Sequence, residues 1–340
     1  MRSPLFGGSI VSHFCYGSHF SRWGLVALAL FAFAGNSVLC RLALADFPRD
    51  SAISDPITFT LIRLLSGTLV LFVICLALPN QKTVATREPD AADKAAVNKP
   101  KHFLLRWLPG LWLMLYALGF SFAYQYLDTG TGAFILFATV QLSLFVAAKR
   151  GGEQFGAWQL VGALTALLGL FWLLVPAEFE FADWSPMGAM GMFLAGVAWA
   201  LYTLAGKQSA KPILDTRNNF AISLLWLVLL PPLLLFLYSL ASVDTHISLR
   251  IVIETEGLWL AVFSGGLASG VGYAVWYSAL GYLKTSVAAV LQLSVPVLAT
   301  AGGVIWLDEL LTTQMLVSSS LILLGIALTI APFSSSKANN

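Results

Sequence analysis

The chain has 340 residues, of which 58% are hydrophobic and only 11% charged, where an ordinary soluble chain carries roughly 25% charged residues. That balance excludes a water-soluble fold and calls for lipid as solvent. The net charge of +2 carries no information about nucleic acid, since membrane proteins place their basic residues by topology, and no nucleic-acid partner is expected.

Residues 1–23 hold Arg2 and Arg22 but neither a long apolar core nor a small-residue cleavage pattern, so they read as a cytoplasmic tail. A hydrocarbon core of about 30 Å takes about 20 apolar residues to cross as a helix. Runs of that kind follow one another at 24–45, 56–78, 107–127, 129–148, 157–176, 186–206, 217–240, 257–279, 285–306 and 312–333. The expected fold is an all-α integral membrane protein with ten transmembrane helices. Residues 334–340 form a second short tail.

Polar residues inside these spans are the natural candidates for a transport site. Asn36 lies in the first span. Arg63 lies about seven residues into the second, roughly 10 Å below the outer surface at about 1.5 Å per residue. Its permanently charged guanidinium suits bidentate capture of a carboxylate or phosphate; its long stem equally permits it to snorkel to the outer interface. The segment 79–106 that follows is polar, charged and rich in Ala and Lys, and reads as a flexible cytoplasmic linker.

On the third span Ser121, Tyr124 and Gln125 share a face. Gln141 lies in the fourth span and Tyr202 in the sixth. On the eighth, Ser269, Tyr273, Trp276 and Tyr277 recur at i, i+4, i+7 and i+8, an aromatic face that either borders a cavity or packs the bundle. Gly266 and Gly270 form a G-x-x-x-G pair and read as close helix packing. Gln292 and Pro296 lie four apart on the ninth span, so the proline bends the helix and frees a carbonyl near an amide. Glu153 and Glu309 precede the last span of each half, where a carboxylate can cap free amides, a structural role.

With both termini inside, Lys149, Arg150, Lys207, Lys211, Arg217 and Lys284 join the basic linker and tail on the cytoplasmic face, while the outside collects only Arg41, Arg49 and Arg250. This is the positive-inside pattern of an inner-membrane protein. No carboxylate lies deep within a span, and His13, His19, His102 and His246 all lie outside them, so the usual proton relays are missing and facilitated transport or exchange is favoured. Cys15, Cys40 and Cys75 form no C-x-x-C pair, and no nucleotide loop, metal cluster or nucleophile triad rises above noise. Neither cofactor nor metal nor enzymatic activity is expected.

A shift of 156 positions lays Tyr126 on Tyr282, Thr129 on Thr285, Glu153 on Glu309 and Gly169 on Gly325 without a gap. The first five spans thus correspond to the second five. Five is odd, so the halves enter the membrane from opposite sides: two inverted five-helix repeats, 24–176 and 186–333. The link around Glu153, AKRGGEQF, is basic, and its counterpart around Glu309, WLDELLT, is acidic, as inner and outer links should be.

The end of the second half, Pro296 followed by VLATAGGVIWLDELLT with Glu309 and then Gly325, resembles the EamA-type carriers of the drug/metabolite transporter superfamily. The first half is similar in Glu153 and Gly169, with Val140 where the proline is expected and Gln141 after it. The opening ALFAFAGNSVLCRLAL keeps Asn36, and DPITFTLIRLLSG carries the family's arginine as Arg63. The resemblance implies a ten-helix bundle with a central substrate cavity. It names no substrate, because members move amino acids, sugars, nucleotide derivatives, polyamines and drugs.

Together these readings point to a secondary transporter of small polar metabolites, with a small-molecule substrate and membrane lipids as partners and a homodimer left open. The absence of intramembrane acids beside Arg63 favours a cargo with an anionic group. The rival readings are a non-transporting sensor or subunit and a lipid-processing membrane protein.

Overall fold

With no water in the hydrocarbon layer to take up free amides and carbonyls, a spanning chain must satisfy its backbone within each segment, which helices do. The computed structural model describes residues 19–44, 54–77, 106–124, 126–127, 129–174, 185–240, 254–306 and 312–330, and these form helices and their links with no β-strand among them. Gln125, Glu309, most of the 79–106 linker and both expected tails lie outside the described residues, apart from the first helix's opening turns.

Helix α1 is His19–Leu44, α2 Pro56–Ala77, α3 Leu108–Ala123, α4 Thr129–Arg150, α5 Ala157–Leu174, α6 Pro186–Lys207 and α7 Pro212–Leu240. Helix α8 runs through Thr255–Phe263, Ser264–Val271 and Gly272–Leu280, the middle stretch in π-helical form. Helix α9 comes in two pieces, Thr285–Leu291 and Ser294–Trp306, and α10 is Thr313–Ile330. Among the described residues, six stretches are long and apolar enough to cross a membrane: Arg22–Leu44, Pro56–Ala77, Pro186–Lys207, Pro212–Leu230, Thr255–Leu280 and Thr313–Ile330. Leu108–Ala123, Ala157–Leu173 and Thr285–Ala299 are shorter apolar helices.

Local chemistry sets the helix ends. Prolines open α2, α6 and α7, where the missing amide is harmless. The Asp55 carboxylate accepts from the Ile57 and Thr58 amides at 3.0 and 2.9 Å, and Ser185 Oγ accepts from the Gly188 amide at 3.2 Å. Proline placement also moves one boundary: α7 begins at Pro212, ahead of the apolar run that starts at 217. Helix α9 breaks at Gln292 and Leu293, and Gln292 is the i−4 residue whose carbonyl the Pro296 ring would strike in an unbroken helix.

Around an apolar core, many large apolar side chains also face outward, unlike those of a protein in water. Phe31 and Leu168 are 62% and 66% exposed, with Leu69, Phe72, Leu164 and Leu229 likewise turned outward, while Asn36, Arg63, Ser121, Gln141 and Gln292 are buried. Lipid is the solvent that makes this distribution favourable.

The helices pair in a repeating scheme. Helix α3 packs on α6 and α8 on α1; α4 packs on α6 and α9 on α1; α2 meets both α7 and α8, and α3 meets α7. Helices α5 and α10 pack on each other more extensively than any other pair. They run antiparallel, Gly162 lying against Gly325 and Thr329, and Gly169 against Leu321 and Ile322. Among the described residues, no side chain larger than hydrogen fits at the tightest of these crossings: a Cβ on Gly325 would stand 2.5 Å from both the Ala166 amide nitrogen and the Gly162 carbonyl.

Gly325→Val should therefore lower the thermal midpoint of the detergent-solubilised protein, overpacking of this kind costing about 1–3 kcal/mol. Gly24→Val, at a position with nothing within 4 Å, is the control and should leave the midpoint unchanged in the same melting experiment.

Candidate functional site

The deepest polar feature lies where α1, α2 and α8 converge. Helix α2 comes so close to the π-helical stretch of α8 that a Cβ on Gly265 would overlap the Arg63 carbonyl and Ser66 Oγ. A Cβ on Gly270 would stand 3.3 Å from the Gly67 Cα, and one on Gly266 3.2 Å from the Val70 side chain, so both residues of the G-x-x-x-G pair face α2. The wider π turn, a form common at functional sites, presents Ser264 and Ser269 to the interior.

Arg63 is 1% exposed, which rules out snorkelling in this conformation. Its Nε donates to Ser269 Oγ at 2.9 Å and a terminal nitrogen donates to Tyr273 Oη at 3.0 Å. The guanidinium carbon stands 5.7 Å from the Tyr116 ring centroid, within cation–π range. Asn36 Oδ1 accepts from Ser264 Oγ at 2.7 Å and from Ser269 Oγ at 3.4 Å, so asparagine, serines and arginine form one chain of hydrogen bonds. Cys40 Sγ lies 4.0 Å from Asn36 Oδ1, Ser264 Oγ and a terminal Arg63 nitrogen. Every one of these partners is uncharged.

Beside this chain the aromatic rings of Phe33, Tyr116, Trp199 and Tyr273 meet with centroids 4.7–5.6 Å apart. They enclose a cavity of about 30 Å³ that Asn36 and Gln292 also line. Trp199 Nε1 donates to Gln292 Oε1 at 2.6 Å, and the Gln292 amide donates back to the Ala288 carbonyl at 3.2 Å, just before the break in α9. A larger groove of about 480 Å³ between α1 and α8 is lined by Leu28, Phe31, Leu267 and other apolar groups, on the outer side of the bundle.

Of the residues singled out by sequence, the structure brings Asn36, Arg63, Tyr273 and Gln292 to the cavity and its adjoining network. Tyr202 and Tyr277 lie one turn away, ring against ring at 5.0 Å, and Trp276 packs on Phe33 at 5.6 Å. Other candidates join helices elsewhere. Ser121 Oγ accepts from Thr60 at 3.0 Å, Gln141 donates to the Ala163 carbonyl on α5 at 3.3 Å, and half-buried Tyr124 meets the Phe120 ring at 4.8 Å. Phe33, Tyr116 and Trp199 were not singled out. Tyr116, Phe120 and Tyr124 recur at every fourth residue on α3, a pattern from which the first could have been found.

A second polar cluster lies at the end of the bundle that carries Lys149, Arg150 and Lys284. Gly152, at φ 83°, turns the chain within the α4–α5 link just before Glu153. Its carboxylate accepts from the Thr285 and Ser286 amides at 2.8 and 3.3 Å and from Ser286 Oγ at 2.9 Å. The carboxylate thus caps α9, not the helix α5 that it precedes. Lys207 Nζ stands 3.7 Å from it and donates to Thr285 Oγ1 at 2.6 Å. Burial pushes the Glu153 carboxyl up, but the Thr285 amide and the Ser286 hydroxyl outweigh burial and hold it below its ordinary value.

An all-helical bundle, apolar where it meets lipid and polar at its centre, has the construction of a multi-pass membrane transporter. Comparison with known proteins specifies which kind. The EamA-like transporter family matches over residues 186–331. An uncharacterized protein of Pseudomonas aeruginosa is 41% identical over 91% of this chain and 94% of its own length. A probable amino-acid metabolite efflux pump of Escherichia coli is 25% identical over 60% of this chain and 68% of its own, and an uncharacterized transporter of Bacillus subtilis 21% identical over 83% and 89%. A solved crystal structure shares the fold with a TM-score of 0.62 at 18% identity, covering 92% of this chain and 98% of that one. The chain belongs to the EamA-like family of the drug/metabolite transporter superfamily.

Because the folded state holds the Glu153 carboxyl below its unfolded value of about 4.3, its contribution to stability is complete above that pH and is lost as pH falls through the lower folded value. The thermal midpoint should decline on acidification below about pH 4, and Glu153→Gln should remove that part of the decline. Melting curves of both proteins between neutral and acidic pH check this; superimposable pH profiles would count against it.

Proposed function

We propose that this chain is a secondary carrier of small solutes bearing a carboxylate, working by alternating access of two inverted repeats around the Arg63 site. The observation that carries the reading is a permanently charged guanidinium, 1% exposed, whose hydrogen-bond partners Ser269 and Tyr273 are neutral. A buried cation without a carboxylate is costly, and a membrane interior makes it more so. An anionic group on the cargo offsets that cost, and the planar guanidinium fork is shaped for a carboxylate. The name of the Escherichia coli relative, an amino-acid metabolite efflux pump, is compatible with such a cargo.

Ten spans arranged as repeats 24–176 and 186–333 are supported by the helix pairings, which follow the shift of 156. That shift turns the α3–α6 pair into α8–α1, the α4–α6 pair into α9–α1, and the α2–α8 pair into α7–α3, each of which is present. Helices α5 and α10, equivalent under the shift, run antiparallel, as equivalents in inverted halves must. The positive-inside pattern supports cytoplasmic termini in the inner membrane. A cavity of about 30 Å³ holds roughly one water, so an amino acid or organic acid requires Phe33, Tyr116, Trp199 and Tyr273 to part, which rocking of the halves would do.

Arg63→Ala should reduce transport at least about ten-fold, the loss of one charge-assisted interaction, and Tyr273→Phe should reduce it only a few-fold. Arg63→Lys, which keeps the charge without the fork, should lie between. The measurement is uptake of radiolabelled amino and organic acids into proteoliposomes, with melting curves to show that each variant is folded. Full transport by Arg63→Ala would remove the proposal.

A further inference from the structure

The seam between the two halves is crossed by a polar knot at the basic end of the bundle. Glu153 comes from the α4–α5 link of the first half, and its partners Thr285, Ser286 and Lys207 all belong to the second. Next to Lys207, the Tyr277 ring of α8 lies on Gly206 of α6, so close that a Cβ on that glycine would overlap the ring. Behind it the Tyr277 and Thr203 side chains are buried.

We infer that Glu153 is the gate residue of the cytoplasmic end. Its carboxylate ties α6 and α9 to the first half, with Tyr277 as the plug behind it, and it must release Thr285, Ser286 and Lys207 before cargo passes between cytoplasm and cavity. This rests on the alternating-access reading above.

Three features make the knot a latch and not merely a helix cap. It joins segments of different repeats, 132 residues apart in the chain, whereas a cap serves its own helix. The piece of α9 that it holds, Thr285–Leu291, is divided from Ser294–Trp306 by the break at Gln292 and Leu293, so it has a hinge of its own. Finally, the Glu153 and Lys207 side chains are partly exposed at the end of the bundle, so water can replace the bonds of the knot once it opens.

The test places a reporter thiol behind the latch, Thr203→Cys, in a protein whose Cys15, Cys40 and Cys75 are replaced by serine. Labelling by a charged, membrane-impermeant maleimide is followed from each face of sealed vesicles. Adding Glu153→Ala should speed labelling from the cytoplasmic face about ten-fold or more, and the milder Glu153→Gln and Ser286→Ala should speed it less. A second reporter, Ala166→Cys in the α5–α10 seam, should stay equally slow in all of them. Equal Thr203→Cys rates with and without Glu153 in folded protein would overturn the gate, as would a parallel rise at Ala166→Cys, which marks general loosening. The readout needs no cargo, so failure of the gate with Arg63-dependent transport intact leaves the carrier standing, and the converse result removes the cargo reading alone.

Discussion

Arg63 keeps its charge at any pH a cell presents, and much of the bundle's centre is arranged around keeping that charge out of lipid. Its fork is met from α8 by Ser269 and Tyr273, and Ser269 is in turn oriented by Asn36 from α1. For those groups to reach it, α2 and α8 must approach to backbone contact, and Gly265 and Gly270 are what permit this. The π turn over Ser264–Val271 then gives the helix the extra width that directs both serines inward. The π turn, the glycines and the hydrogen-bond chain thus meet at one buried cation.

The aromatic cluster follows from the same constraint. A guanidinium without a carboxylate is stabilised in part by the faces of π systems, and Tyr116 supplies one. Trp199 lies against Phe33, Tyr116, Tyr202 and Tyr273 and is anchored by Gln292 across α9. Gln292 is also where α9 breaks, so the residue that holds the tryptophan ends the short first piece of α9. On the proposed mechanism the Glu153 knot and the central cavity are therefore coupled through α9, with Thr285 at one end of the piece and Gln292 at the other.

The resulting division of labour differs from that of carriers with a mid-membrane acid. Among the described residues the acidic groups lie at helix ends: Asp55 and Glu254 precede helices, Glu256 and Asp215 lie in first turns, and Glu153 sits on α9. Negative charge stands at the ends of helices, where the Asp55 and Glu153 carboxylates accept from free amides, and the described interior is left with a single kind of charge. That asymmetry is the physical basis for assigning the missing anion to the cargo.

Hydrophobicity was enough to specify the solvent, and its continuous runs the helical class, because an apolar stretch of about 20 residues crosses lipid with its backbone satisfied as a helix. The repeat at 156 positions and the family likeness were legible too, since they are properties of residue order. Arg63 also stood out in sequence, because a charge inside an apolar run requires a reason, and it is buried in the bundle. What only the tertiary structure decided was which polar groups meet. Ser121 and Gln141 stood out in sequence beside the cavity candidates, yet bond to neighbouring helices, while Trp199 and Phe33 were unremarkable in sequence and stand at the centre. Glu153 could be read as a cap but not assigned to α9, 132 residues away in the chain. Helical periodicity ranks the residues on one cylinder; how cylinders cross is set by close contacts such as Gly265 on Arg63 and Gly162 on Gly325, which no single span contains.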